Sequence, residues 1–433
     1  MRLGFILAAL GMLLFFASIL FIGNKRSTYL LFIAFFFPFV DLWITPSSFG
    51  NLSVFDGVSL VAALLFFRDL VSLNKGNRFY VVTALIFLVL ITISTLASEF
   101  KVWSLFHLPP VITPFIYAAL LLREIKDDEG FLFKLIGALK IAAWVGVFFI
   151  VMQIVTRMGF THYDGLNQNV IDGDGFRYPG FFMDAQVNGA YMAMISVLFL
   201  VNFYDPSNPR FKNYWQFAVM VIGVVLAGSR SPLLGLGAGI VFLTIFVGGN
   251  FRPVFLTILI ICGVTGLLFA DNIPVFKRFG ELNDSLSFRA SLWADAWKIF
   301  YKEYMLGIGT ESYQQYVMRY SQDQFLLMDN DEIVYLLQPE NGYLKWLVEF
   351  GLFGTILLFL MILAPPVKVL INFFKGKKII TQFFFITPLI IWLISFSSLY
   401  NLYDRRLVVL VVTYLVILAA YPTDFVFESE EQQ

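Results

Sequence analysis

The chain is poor in the side chains that usually carry soluble enzymatic chemistry. It has a single cysteine, Cys262, set inside an apolar run, so it forms no internal disulfide. Its two histidines, His107 and His162, and the lack of any Cys/His ligand spacing give no sign of a metal site. Charged residues make up only 14% of the 433, against about 25% in an ordinary soluble chain. Thirty Lys and Arg balance thirty Asp and Glu, and a neutral chain without a basic face offers no footprint for nucleic acid. There is no internal repeat of the kind that builds the two halves of many transporters, and no low-complexity tract.

What is abundant is apolar. Hydrophobic residues are 59% of the chain, mean hydropathy is +0.79, and 51 residues are phenylalanine. Apolar runs fall near 3–22, 29–46, 53–73, 79–97, 105–122, 133–156, 185–204, 214–228, 231–248, 252–270, 343–366, 379–398 and 405–421. Runs of this length read as transmembrane helices, and the expected fold is an all-α polytopic membrane protein of about 12–14 such helices. Pro38, Pro109, Pro110 and Pro388 mark kinks or helix ends. The first run follows only Arg2 and precedes Lys25-Arg26. A cleaved signal carries its charge in front, so this run reads as a retained helix with its N-terminus outside.

Loop charge orients the bundle. One set of loops holds fifteen Lys and Arg, among them Lys25, Arg26, Arg123, Lys134 and Lys375. The opposite short loops hold seven: Arg2, Lys101, Arg157, Arg177, Arg230, Arg405 and Arg406. The richer set is expected in the cytoplasm. The chain then divides into N-terminal helices (1–156), an outer loop (157–184), central helices (185–270), a large helical outer loop (271–342), and C-terminal helices with a cytoplasmic tail (343–433). The core for chemistry is expected at about 177–363, because functional groups concentrate on loops held by a rigid scaffold.

The larger loop contains an amphipathic stretch near 288–304, with Trp293, Ala296, Trp297, Phe300 and Tyr304 at three- and four-residue spacing and Gly307-Ile308-Gly309 as its stop. Arg289 heads this stretch and is expected to hold phosphate through paired hydrogen bonds. Arg230, in Gly228-Ser229-Arg230-Ser231-Pro232, opens a helix whose N-terminus favours an anion. Arg177 reads as a further clamp or as a solvated loop residue, and Arg405, preceded by Asp404, could also face the cavity. Glu340, in Pro339-Glu340-Asn341, lies where the large loop re-enters the membrane. A half-buried carboxylate there would have a raised pKa and is the expected base, with His162 behind it. Glu349, two turns deeper, either pairs with an arginine or lines the cavity. Gly235, Gly237 and Gly239 miss the spacing of a nucleotide loop and read as close helix packing. Asp329-Asn330-Asp331-Glu332 lacks the pattern of a calcium loop.

From about Gly228 to Leu363 the chain resembles the domain shared by bacterial O-antigen ligases and O-antigen or exopolysaccharide polymerases. The matching pieces are Gly228-Ser229-Arg230-Ser231-Pro232, then Arg289 with Trp293 and Trp297, then Leu306-Gly307-Ile308-Gly309. Asn341-Gly342-Tyr343-Leu344 and Glu349-Phe350-Gly351-Leu352-Phe353-Gly354 close the series, while Arg177-Tyr178-Pro179-Gly180-Phe181-Phe182 with Asn188-Gly189-Ala190 resembles the segment before that domain. The resemblance implies glycosyl transfer from an undecaprenyl-diphosphate carrier in the bacterial inner membrane, at a site facing the periplasm, with neither cofactor nor metal. Arg230 and Arg289 would bind the diphosphate, with Arg177, Asn341, Tyr343 and Arg405 completing the glycan site. Ligases carry His-Asn where this chain has Glu340-Asn341, which tilts the expectation towards a polymerase.

Diphosphate is a good leaving group, so the chemistry asks for stabilisation of developing charge and a base on the opposite face of the sugar, with inversion at the anomeric carbon. The expected partners are the lipid-linked oligosaccharide, membrane lipids and a chain-length regulator. An O-antigen ligase acting on lipid A–core is the near alternative, and a transporter or flippase of lipid-linked oligosaccharide the distant one.

Overall fold

The computed structural model describes residues 2–23, 25–45, 50–71, 78–128, 130–156, 159–160, 166–167, 177–182, 184–201, 211–247, 252–253, 256–257, 260, 282–320, 325–327, 333–335, 338–377, 379–398 and 404–422. His162, Cys262, the Asp329–Glu332 tract and most of the run at 252–270 lie outside them. Five helices among the described residues are long and apolar enough to cross a membrane: Gly4–Ile22, Arg78–Ala97, Lys101–Asp127, Phe131–Thr156 and Gly342–Phe374. Shorter apolar helices include Val54–Leu65, Arg230–Phe246 and Ile380–Phe396, and Arg405–Ala420 is the last helix among the described residues. The described strands form two short antiparallel hairpins, Gly159–Phe160 with Leu166–Asn167 and Phe325–Leu327 with Ile333–Tyr335. Large apolar side chains point outward along the helices; Phe21 is 89% exposed and Leu64 81%. Lipid solvates such a surface without cost, and the molecule is an all-helical polytopic membrane protein.

The apolar run at 29–46 departs from a simple span. Its helix, Arg26–Phe35, gives way to one tight turn, Phe37–Phe39, and Trp43 then bridges to Ser53 on the returning chain. Pro38 lies inside that turn and has no N–H to continue the α-helical ladder. The next helix, Val54–Leu65, starts with a capping box. The Ser53 hydroxyl accepts from the Asp56 N–H while the Asp56 carboxylate accepts from the Ser53 N–H.

Ion pairs mark the two ends of the bundle. At one, Arg26 meets Glu124 (3.1 Å), Asp127 (2.5 Å) and Asp69 (3.6 Å), and Arg123 also meets Asp69 (3.6 Å). At the other, Arg405 and Arg406 meet Asp41, Asp56 and Asp404. Between the ends, Arg230–Phe246 lies against Ile380–Phe396 where glycine permits close approach. A Cβ on Gly235 would sit 2.9 Å from the Ile391 carbonyl oxygen, and one on Gly239 2.7 Å from the Thr387 methyl group. Gly237 has open space beside it, so two of the three glycines do the packing.

One further junction sets the site. The Gly342–Phe374 helix breaks at Gly351, whose φ of 65° and ψ of −176° interrupt the hydrogen-bond ladder. The carbonyls of Val348 and Glu349 instead accept from the N–H groups of Ile308 (3.0 Å) and Gly309 (3.1 Å), and Leu352 N–H donates to Tyr304 (2.9 Å). Gly307, with φ of 79°, faces the break so closely that a side chain on either glycine would run into the other's backbone. The Leu306–Gly309 turn is thus keyed into the broken helix, and its partner lies more than forty residues away.

Candidate active site

The large loop is clamped at three places. Its helix, Leu282–Phe300, buries Ala296, Ile299 and Phe300 in one cluster with Leu344 and Val348. This corrects the expected apolar face. Trp293 packs partly, but Trp297 (42% exposed) and Tyr304 (47%) point outward, and the helix ends at Phe300 rather than at Gly307. The second clamp is the glycine junction. The third is the segment Thr310–Ser312, fastened to the Lys101–Phe106 helix. Thr310 donates to the Ser104 carbonyl (2.7 Å), the Trp103 indole donates to the Glu311 carbonyl (2.9 Å), and the Ser104 and Ser312 hydroxyls bond each other.

Two of the expected site residues touch. Arg289 Nε donates to a Glu340 carboxylate oxygen at 2.7 Å, with both side chains partly open to solvent. The Trp293 indole donates to the Pro339 carbonyl at 3.0 Å, which fixes the loop helix over the re-entry point. Glu340 has φ of 45°, a left-handed conformation costly to any residue but glycine. Asn341 then caps the Gly342–Phe374 helix, its side-chain oxygen accepting from Leu344 N–H (3.1 Å). Asn341 therefore acts in the first place as a helix cap. Tyr343 turns inward, donates to the Leu393 carbonyl, and packs edge-on against Phe396.

The end of the Ile380–Phe396 helix links this corner to Arg177 and Arg230. Just past that end, the Ser398 hydroxyl donates to Ser231 (2.6 Å), and Gln186 donates to the Ser398 carbonyl (2.6 Å). Arg230 opens its helix, and Arg177 donates to Ser229 at 3.2 Å. Arg177, Arg230 and Arg289 therefore gather at one end of the bundle, where their charge and a helix N-terminus favour an anion.

Arg405 is placed differently. It is 4% exposed, and its Nε bonds both oxygens of Asp56, at 3.0 and 3.3 Å, while Asp56 also accepts from Thr113 (2.6 Å). Arg406, 1% exposed, grips Asp404 through two nitrogens (3.0 and 2.6 Å) and donates to the Phe181 carbonyl (2.7 Å). Its guanidinium stacks 4.1 Å above the Phe182 ring. The expected contact between Arg405 and substrate gives way to a buried network, because a charge this deep needs a full set of partners. Through Phe181 that network anchors the Arg177–Phe182 segment. Gln153 holds the same segment by donating to the Gly180 carbonyl (2.7 Å) and accepting from its N–H (2.9 Å).

Sequence reasoning missed Lys345. It is 1% exposed and meets Glu311 at 3.2 Å and Glu349 at 3.9 Å, so a buried lysine pairs with Glu349. The signal was the i,i+4 spacing of Lys345 and Glu349 on one helix. Tyr313, also buried, donates its backbone N–H to Glu349 (3.4 Å). Burial, with Asp295 and Glu349 nearby, pushes its phenol well above the usual range, so it stays protonated and cannot serve as a base.

An all-helical membrane protein with three arginines and a loop helix gathered at one end defines the class. Residues 215–359 match the family described as O-antigen ligase, about a third of the chain. The teichuronic acid biosynthesis protein TuaE of Bacillus subtilis is 27% identical over 300 residues, an alignment covering 60% of this chain and 57% of that protein. The chain thus spans a little over half the length of that relative.

Proposed function

We propose that the protein is a polymerase of the bacterial inner membrane, working on its periplasmic side. It would transfer a growing glycan from an undecaprenyl-diphosphate carrier to a hydroxyl of the next carrier-linked repeat unit, with inversion at the anomeric carbon. The observation that carries this reading is the gathering of Arg177, Arg230 and Arg289 at one end of a lipid-embedded bundle, within and beside the O-antigen ligase domain.

A guanidinium cannot deprotonate and binds phosphate oxygens in pairs. Arg289 and Arg230 hold the diphosphate, and their fixed charge meets the negative charge that builds as the sugar departs. Glu340, bonded to Arg289, aims that guanidinium. The name of the relative, which concerns teichuronic acid, supports a polymeric product, as does Glu340 in the place of the ligases' histidine.

The test is reconstitution of the purified protein in vesicles with a polyprenyl-diphosphate oligosaccharide as sole substrate, with products resolved on a gel. A ladder of lengthening glycan is expected. Transfer only after addition of lipid A–core would replace the polymerase reading by a ligase, and movement of the intact carrier across the bilayer without new bonds would replace both by transport.

A further inference from the structure

The proposed transfer requires a group that takes the acceptor proton on the face of the sugar opposite the diphosphate. Glu340 is badly placed for that. In an in-line displacement the clamp's hydrogen bond, the breaking bond, the forming bond and the base's hydrogen bond lie end to end, so clamp and base stand roughly 8–10 Å apart. The Glu340 carboxylate is 2.7 Å from Arg289 Nε, on the leaving-group side.

His107 has the missing properties. It follows the Lys101–Phe106 helix and is 3% exposed. Its Nδ1 lies 2.8 Å from the Trp103 carbonyl oxygen, and its ring stacks on the Trp103 indole with centroids 4.5 Å apart. A carbonyl only accepts, so Nδ1 carries the proton and Nε2 keeps its lone pair. Among the described residues Nε2 has no hydrogen-bond partner. The charged groups acting on the imidazole are Glu311, Arg405 and Lys345, drawn from the loop and two separate helices. Trp103 itself is pinned by the Glu311 carbonyl, and Lys345 bridges to the Glu311 carboxylate. Lys345 stands one helical turn past Asn341, whose carbonyl takes its N–H at 3.0 Å. The imidazole therefore lies at the same end of the bundle as the Arg289–Glu340 pair, joined to it by contacts that run through Trp103, Glu311 and Lys345.

We propose that His107 is the catalytic base of the transfer, a step that rests on the glycosyl-transfer reading above. Nε2 takes the proton of the acceptor hydroxyl as that oxygen bonds to the anomeric carbon. The carbon–oxygen bond to the diphosphate breaks, and its electron pair leaves on the diphosphate held by the arginines. The imidazolium formed faces Arg405 and Lys345 as well as Glu311, and returns its proton to water. Glu340 is then a positioning residue for Arg289.

The test uses the full-length protein in vesicles, with the lipid-linked oligosaccharide as substrate. His107→Asn keeps an N–H where Nδ1 stood, and so keeps the bond to Trp103, but removes Nε2. It should lower the rate at least 100-fold, the range of a lost general base, while retention of radiolabelled donor by the vesicles stays at the wild-type level. His107→Ala should regain part of its rate when imidazole is added. His107→Asn turning over within threefold of wild type would overturn the proposal, and so would loss of donor retention together with rate, which marks a structural role. Wild-type protein that forms no glycosidic bond with any acceptor would remove the underlying reading and this inference with it.

Discussion

Glu340 shows how one residue is both legible and misleading in sequence. Its place at the membrane re-entry marked it as functional, but nothing in Pro339-Glu340-Asn341 reveals that Arg289, fifty-one positions earlier, bonds its carboxylate. Magnitudes separate its roles. A left-handed backbone costs a non-glycine residue about 1–2 kcal/mol, and a half-exposed ion pair returns about 0–1 kcal/mol. Glu340→Gly should therefore melt at or slightly above the wild-type temperature while losing activity, the pattern of a strained functional position. If Glu340 aims Arg289, Glu340→Gln, which keeps an acceptor for Nε, should cost about tenfold in rate or less. Arg289→Ala should cost at least about 100-fold, as loss of a charge-stabilising donor does. Steady-state rates against donor concentration decide the matter, and equal loss in Glu340→Gln and Arg289→Ala would return the base to Glu340.

The elements were read well where one helix explains itself and poorly where two distant segments share a feature. Apolar runs coincide with most of the described helices, with 29–46 broken by a turn, and two of the three glycines of Arg230–Phe246 pack closely against Ile380–Phe396. The Leu306–Gly309 turn, in contrast, looks in sequence like a helix stop. Its glycines serve the break at Gly351, and no local pattern ties the two together. Either glycine replaced by alanine meets both a positive φ and the opposing backbone, so Gly351→Ala and Gly307→Ala should each destabilise by about 2 kcal/mol or more. Thermal unfolding in detergent measures this. The substitutions should also loosen the loop from the bundle, seen as earlier proteolysis near 301–312. A similar limit hid the role of Arg405 and Arg406. They looked like a breach of the loop-charge rule, whereas Asp41, Asp56 and Asp404, spread over three segments, neutralise them inside the protein. Arg406→Leu leaves Asp404 its bond from the residue 406 N–H but removes its charged partner and the donor to the Phe181 carbonyl, and loss of one partner from a buried pair costs about 3–5 kcal/mol. Folded protein in membranes should fall accordingly, with the Arg177–Phe182 segment the first part to open.

At the scale of the whole molecule, the two ion-pair ends turn the charge rule into a measurement. Fifteen basic residues in one set of loops and seven in the other predict the Arg26–Asp127 end in the cytoplasm and the Arg289–Glu340 end outside. The arginines that breach the rule most plainly, Arg405 and Arg406, are buried ion-pair members, so they no longer count as loop charge and the bias becomes stronger. Lys298, with a side chain 76% exposed, lies on the loop helix near the site. Lys134, 64% exposed, lies near the opposite end beside Asp128. The chain has only Cys262 to remove, so single cysteines can report on each side. In a Cys262→Ser background, Lys298→Cys should react with a membrane-impermeant maleimide on intact cells, and Lys134→Cys only after the cells are opened. A lipid carrier presented outside the cell could then reach the arginines directly. The reverse labelling pattern would put the arginine cluster in the cytoplasm, where sugar donors are nucleotide-linked, and the polymerase reading would fail at the level of topology, whatever the chemistry of the site.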